Sequence, residues 1–149
     1  IDRKTVARYL YIFEKSFILF IVRGFSRNLR KEVSKSSRYY FYDLGVRNAL
    51  IANFNPIELR NDIGELWENF IFIERLKKRF YKNIFANVYF WRTWDQKEID
   101  IVEEREGKLF GYECKWSSSK TKAPKDWFET YPEASFEIIG RKNYLDFVS

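Results

Sequence analysis

The sequence predicts an α+β protein built in two parts, and three observations predict it. The hydrophobic spacing switches between helical and alternating periods along the chain, so both kinds of element are present. Charge is lopsided: residues 1–49 hold 11 Lys and Arg against 4 Asp and Glu, whereas residues 50–149 hold 16 against 17. A basic helix-and-hairpin part is therefore expected over residues 1–53, ahead of a charge-balanced part over residues 57–149 ordered helix, three strands, helix, strand. The composition, 46% apolar and 20% aromatic with only three Pro and six Gly, supplies a core and excludes linker-like or low-complexity chains.

Asp2 reads as the cap of a first helix, with Val6, Tyr9, Leu10 and Phe13 on its apolar face and Arg3, Lys4, Arg8 and Lys15 on the other. Phe17 to Arg23 and Arg38 to Tyr42 read as two strands joined by a polar stretch carrying Arg27, Arg30 and Lys31. A short helix is expected to start at Asp43, and the linker to lie between Asn53 and Asp62, where Pro56 breaks the pattern. Asp62 should then cap a long helix reaching about Tyr81, with cations near its C-terminal end where they suit the helix dipole. Strands are expected at Asn87 to Trp94, Glu98 to Glu104 and Lys108 to Trp116, with turns at residues 95–97 and 105–107. A helix at Lys125 to Tyr131 and a strand at Ser135 to Ile139 complete the order. Tyr89, Trp91 and Trp94 read as core aromatics, with base stacking as the alternative.

The residue types that are missing narrow the chemistry. There is no His, which excludes Ser-His-Asp triads, Cys-His dyads and His-ligated zinc. The single cysteine, Cys114, cannot form an internal disulfide, which suits a reducing compartment, the cytoplasm by default. The longest apolar run, Phe17 to Val22, is far shorter than the ~20 residues of a membrane span. With no Met and an opening at Ile1, the chain is expected to be part of a longer protein. The basic excess is the footprint of a nucleic-acid partner, with a solvated surface as the alternative.

Catalysis, if present, falls to carboxylates and amines. Period-two alternation places Glu98 and Asp100 on one face of their strand, and Glu113 and Lys115 on one face of the next, with Cys114 pointing the other way. A hard cation such as Mg²⁺ takes one or two carboxylates with water and phosphate oxygens, and a neighbouring Lys can orient or deprotonate the attacking water. The spelling acid-x-Lys is weak, since it occurs four times here, but only Glu113-Cys114-Lys115 lies in an apolar strand. Glu68, on the preceding helix, can face the strands. A salt-bridge ladder across two strands remains the structural alternative.

Glu68 on a helix, Asp100 on a strand and Glu113-Cys114-Lys115 on the next resemble the PD-(D/E)XK, or restriction-endonuclease-like, fold. More narrowly, three stretches together resemble the C-terminal region of prokaryotic AAA-type P-loop ATPases. These are Tyr39-Tyr40-Phe41-Tyr42-Asp43-Leu44-Gly45, Gly64-Glu65-Leu66-Trp67-Glu68-Asn69-Phe70, and Tyr89-Phe90-Trp91-Arg92 with Lys97-Glu98-Ile99-Asp100. In those proteins a winged helix precedes a nuclease-like domain of uncharacterised function.

The resemblance implies that Asp100 and Glu113 hold Mg²⁺ or Mn²⁺, that Lys115 attends the nucleophilic water, and that Glu68, with Glu65 as rival, is a further catalytic acid. Ile99 stands where many nucleases of the fold carry proline. Residues 1–53 would be a partial winged helix contacting double-stranded DNA through Arg3, Lys4, Arg8, Arg27, Arg30 and Lys31. The expected function is a DNA-associated effector of an ATPase, a Mg²⁺-dependent deoxyribonuclease, with a non-cleaving DNA- or protein-binding module as the alternative. The partners implied are DNA and a P-loop ATPase domain in the same longer chain, with no membrane and with an oligomer admitted. No Gly-x-x-x-x-Gly-Lys-Ser/Thr loop occurs in these residues, so they do not bind ATP by that route.

Overall fold

The computed structural model describes residues 2–27, 32–33, 35–117 and 122–149. Arg30 and Lys31, two of the expected DNA contacts, lie outside the described residues. The helices are α1 (Arg3–Lys15), α2 (Leu44–Leu50), α3 (Ile63–Tyr81), α4 (Lys125–Thr130) and α5 (Tyr144–Val148). The strands are β1 (Leu19–Gly24), β2 (Ser37–Phe41), β3 (Asn87–Arg92), β4 (Glu98–Arg105), β5 (Lys108–Cys114) and β6 (Ser135–Ile139). Most fall within two or three residues of the sequence expectation. The short α5, whose five residues are too few to show a period, was not foreseen.

All six strands join one mixed sheet in the order β2-β1-β3-β4-β5-β6. Parallel pairing of β1 with β3 carries the sheet across the expected linker, so the basic hairpin is the near half of the sheet rather than a free-standing wing. Helix α3 covers one face through Trp67, Ile71 and Phe72, packed with Val22, Tyr40, Phe90, Ile101 and Tyr112. On the other face Trp127 and Tyr131 close over Trp91, Ile99, Val102 and Leu109. Trp91 is thus core, and Trp94 is exposed. Burial on both faces explains the apolar runs Val88-Tyr89-Phe90-Trp91 of β3 and Leu109-Phe110-Gly111-Tyr112 of β5, while β4 mixes apolar residues with acids.

Local chemistry accounts for the joints. Asp2 caps α1 as expected, its Oδ1 accepting the Thr5 N–H at 2.9 Å. Asp62 stands at the N-cap of α3 as expected, but its side chain makes no cap bond; the carboxylate is taken instead by Arg60 at 2.8 Å and Arg47 at 2.7 Å, which hold it down to about 2 and clamp the linker onto the helix start. The turn between β4 and β5 has positive φ at both Glu106 (50°) and Gly107 (75°), the pattern of a tight hairpin. At Gly111 an added Cβ would lie 3.3 Å from both the Ile99 side chain and the Ser135 carbonyl, so glycine lets β4, β5 and β6 close up. Helix α1 departs from expectation in having no buried residue, its apolar face left open to solvent. No helix among the described residues is long and apolar enough to cross a membrane.

A buried ion pair joins α3 to the sheet. Glu103, fully buried, accepts Arg75 Nε at 2.8 Å and Nη2 at 2.9 Å, and Arg75 also donates to the Phe147 carbonyl at 3.0 Å. Glu103 also pairs with Arg105 Nε at 3.3 Å and Arg79 Nε at 3.9 Å, so removing Glu103 leaves the Arg75 guanidinium buried without its carboxylate, typically at a cost of ~3–5 kcal/mol. Glu103→Ala should therefore lower the urea-unfolding free energy by about that much, whereas the paired apolar replacement Arg75→Met with Glu103→Leu should cost distinctly less. Equal losses for the single and double variants would contradict the account.

Candidate functional site

The site is built where β4 breaks its alternation. Tyr89 pairs with Val102 and Trp91 with Ile99, so Asp100 and Ile101 together stand opposite the single residue Phe90. This β-bulge turns two consecutive side chains toward α3, Ile101 into the core and Asp100 toward the helix. Asp100 is buried, and both of its oxygens are engaged: Oδ1 accepts Arg38 Nη1 at 2.9 Å and Oδ2 accepts the Cys114 N–H at 2.9 Å.

Arg38, at the start of β2, organises the cluster. Its Nη1 also donates to Glu68 Oε1 at 2.9 Å, and its Nη2 pairs with Glu98 Oε2 at 2.8 Å. The guanidinium carbon lies 5.0 Å from the centre of the Phe90 ring. Glu68 Oε1 receives a second hydrogen bond, from the Tyr40 hydroxyl at 2.6 Å. Burial and the charge of Asp100 push the Glu68 carboxyl up to about 7, against the opposing pull of Arg38 and Tyr40. Burial disfavours the charge on Arg38, but Glu68, Tyr40 and Asp100 outweigh it and raise its pKa. Glu68 therefore takes the helical position in the cluster. Its rival Glu65 lines a neighbouring cleft of about 250 Å³ together with Arg38, Arg47 and Glu68.

Glu113 and Lys115 form the second half. Tyr112 and Cys114 enter the core under α3, so by alternation Glu113 and Lys115 point the other way along β5. Lys115 Nζ lies 2.7 Å from Glu113 Oε1, while Glu113 Oε2 is buried with no hydrogen-bond partner. Burial, then the charge of Asp100, raises the Glu113 carboxyl. Burial lowers the Lys115 pKa, but its bond to Glu113 outweighs this and the net shift is upward, so the amine stays an ammonium at neutral pH. The Cys114 thiol is pushed well up by complete burial, which makes it an inert core group.

The four expected residues thus arrive as two pairs. Glu68 and Asp100 share Arg38, Glu113 and Lys115 bond each other, and Asp100 links the pairs through the Cys114 N–H. Among the described residues, no group of three or more carboxylate or thiol side chains is gathered to hold a metal ion. Mg²⁺, however, is commonly held by one or two carboxylates with water, and Glu113 offers one unbonded oxygen, Oε2, within electrostatic reach of Asp100, whose own two oxygens are engaged by Arg38 and the Cys114 N–H. Arg38 and Tyr40 were missed from sequence. The acids they meet lie 28 to 62 residues away in the chain, so no local pattern marked them.

The expected DNA contacts are dispersed. Arg3, Lys4 and Arg8 are exposed on α1, and Arg27 pairs with Glu104 at 2.9 Å near the far end of β4.

The fold and site define a mixed α+β domain with a buried acid–arginine cluster, and comparison with known proteins places it. Residues 63–138 match the model of the domain of unknown function DUF4143, and the chain belongs to that family. The family is found in C-terminal regions associated with AAA-type ATPases, the class that the sequence resembled. A second model, the domain of unknown function DUF8612, matches residues 1–57. The chain is 26% identical over 121 residues to the uncharacterized protein Rv2008c of Mycobacterium tuberculosis and to the uncharacterized protein Mb2031c of Mycobacterium bovis. Each match covers 80% of this chain and 26% of the relative, so the chain spans about a quarter of their length. No solved structure matches.

The raised Glu68 carboxyl gives a signed pH effect. Its folded pKa of about 7 lies above the ordinary 4.5, so its contribution to stability is full below about 4.5 and is lost as pH rises through about 7. Wild-type stability relative to Glu68→Gln should therefore fall between pH 5 and about 7.5 in urea titrations. Parallel pH profiles for the two proteins would show that Glu68 titrates as an ordinary glutamate.

Proposed function

We propose that this domain is a Mg²⁺-dependent nuclease site, the DNA-directed effector of a longer ATPase chain, with the restriction-endonuclease-like architecture that its motifs resemble. The observation that carries this reading is the buried, unbonded Oε2 of Glu113, on a carboxyl that the charge of Asp100 raises. A carboxylate oxygen withdrawn from water with no donor is costly, and a bound cation is the partner that would satisfy it. Asp100 and Glu113 would hold the cation, whose chemistry when bound is to polarise a phosphoryl oxygen and make water nucleophilic.

The remaining roles belong to the chain. Lys115, kept as an ammonium by Glu113, is suited to orient the attacking water and to meet charge developing on the phosphate rather than to serve as a base. Glu68, pushed up to about 7 and held by Arg38 and Tyr40, can hold or release a proton near neutral pH at the edge of the site. Arg38 supplies a fixed positive charge that keeps Glu68, Glu98 and Asp100 together before substrate arrives.

The same guanidinium favours a second reading, a non-cleaving DNA- or protein-binding module. It already neutralises three carboxylates, so the cluster holds together as a purely structural salt-bridge network. Cleavage separates the two. Full-length protein given supercoiled, linear and single-stranded DNA with Mg²⁺ or Mn²⁺ should cut at least one substrate, and Lys115→Ala should cut it about 10²-fold or more slowly at unchanged DNA affinity. Mn²⁺ titration calorimetry should show binding that Asp100→Ala abolishes. No cleavage together with equal Mn²⁺ behaviour of wild type and Asp100→Ala would leave the binding module.

A further inference from the structure

Strands β5 and β6 run parallel, so their carboxyl ends emerge side by side, the position at which open sheets with parallel strands receive ligands. The Lys115 N–H donates to the Ile139 carbonyl at 2.9 Å as the last rung of that pairing, and beyond it the two chains part. The opening is a cleft of about 240 Å³ whose wall, among the described residues, carries three cations, Lys115, Arg141 and Lys142, and no acid. The Arg141 guanidinium lies 4.8 Å from the centre of the Trp116 ring, a stacking that orients its plane without consuming its N–H donors. Among the described residues neither Arg141 nor Lys142 forms an ion pair.

The loop that carries them is held in shape from within. Asn143 Oδ1 accepts the Gly140 N–H at 2.9 Å, and its Nδ2 donates to the Ile138 carbonyl at 2.9 Å and to Glu137 Oε1 at 3.3 Å. That last bond occupies the neighbouring acid outside the cleft wall. Two unpaired cations are thus displayed on a pinned loop, beside a third that reaches into the acid site, where Lys115 Nζ touches Glu113. Ligand chemistry follows from the donors: a chain of phosphodiesters offers one charge to the cleft and the next to the acid site.

We propose that the Arg141–Lys142 cleft seats a backbone phosphate of the nucleic-acid strand adjacent to the phosphate positioned at Asp100, Glu113 and Lys115. The assignment rests on the nucleic-acid reading of that site and adds where the strand lies. It moves the principal contacts from the basic first third of the sequence to the loops after β5 and β6. Arg141 already covers Trp116, so recognition here is of backbone and not of bases, and binding is independent of sequence.

Fluorescence anisotropy of labelled duplex and single-stranded DNA in EDTA, over a salt series with the full-length protein, tests this without cleavage. The double variant Arg141→Gln, Lys142→Gln alters only exposed side chains outside the acid cluster, and an unchanged melting curve checks its fold. It should bind about tenfold or more weakly at low salt, with the slope of log affinity against log salt reduced by about 1.8 for duplex or about 1.4 for single strands. Arg3→Gln with Lys4→Gln and Arg8→Gln should change both less. If wild type binds DNA and the Arg141→Gln, Lys142→Gln protein matches it in affinity and slope, the cleft assignment is overturned while the nuclease reading stands. If wild type binds through the cleft but never cleaves with Mg²⁺ or Mn²⁺, the nuclease reading fails and the cleft stands. Absence of any DNA binding by wild type overturns both.

Discussion

A carboxylate buried in a sheet must have each of its oxygens answered, and Asp100 shows what that demands of this chain. Its two oxygens are met by a guanidinium from β2 and a backbone N–H from β5, elements separated by 62 and 14 residues of sequence. The bulge in β4 aims the carboxylate, the pairing of β4 with β5 delivers the N–H, and the β1–β2 hairpin delivers the arginine. If any of the three were lost, a charged group would be left in a region of low dielectric, where an unpaired ion is most expensive. The sheet order and the site are in this sense one arrangement.

That dependence ties the two matched regions of the chain together. The family models meet at the segment between residues 57 and 63, yet Arg38, inside the first, neutralises Glu68 and Asp100, inside the second. Tyr40 does the same in apolar terms: its ring stacks on Phe72 of α3 at 4.0 Å while its hydroxyl bonds Glu68. The linker is itself clamped, since Asp62 accepts from Arg47 on one side and Arg60 on the other. A boundary drawn from sequence thus coincides with a stretch that the folded chain crosses with hydrogen bonds and ion pairs.

The site also shows how burial divides labour among chemically similar groups. Glu68, Asp100 and Glu113 are all acids near one another, but Arg38 answers two of them and Lys115 only one oxygen of the third. The result is one carboxyl able to hold a proton near neutral pH, one fixed in place by a hydrogen bond to each oxygen, and one with a spare oxygen. Separation of neighbouring carboxyls by environment in this manner is how a fold prepares different roles from the same side chain. The buried Arg75–Glu103 pair, bidentate and enclosed, is a contrasting case in which Nε and Nη2 hold α3 to the sheet and Nη1 holds it to α5.

The sequence by itself determined the element order, because period and turn chemistry are local: β6 was legible at Ser135–Ile139, α3 to within a residue, and the hairpin at Glu106–Gly107 by its dipeptide. It also determined that Glu113-Cys114-Lys115 was the informative acid-x-Lys, since only that copy sits in an apolar strand. What tertiary structure decided was everything non-local. Whether the hairpin stood apart or joined the sheet depended on β1 pairing with β3, which leaves no periodic mark. Asp62 stands at the N-cap of α3, but its carboxylate turns to Arg60, two residues away, and to Arg47 of α2 rather than to the helix N–H groups. Arg38 carried no signal because its partners lie 30, 60 and 62 residues away, and a charge pair at that distance is invisible until the chain brings it together. The apolar face of α1 was legible because spacing records amphipathicity, whereas its exposure was not, because burial depends on what the fold has left to cover it.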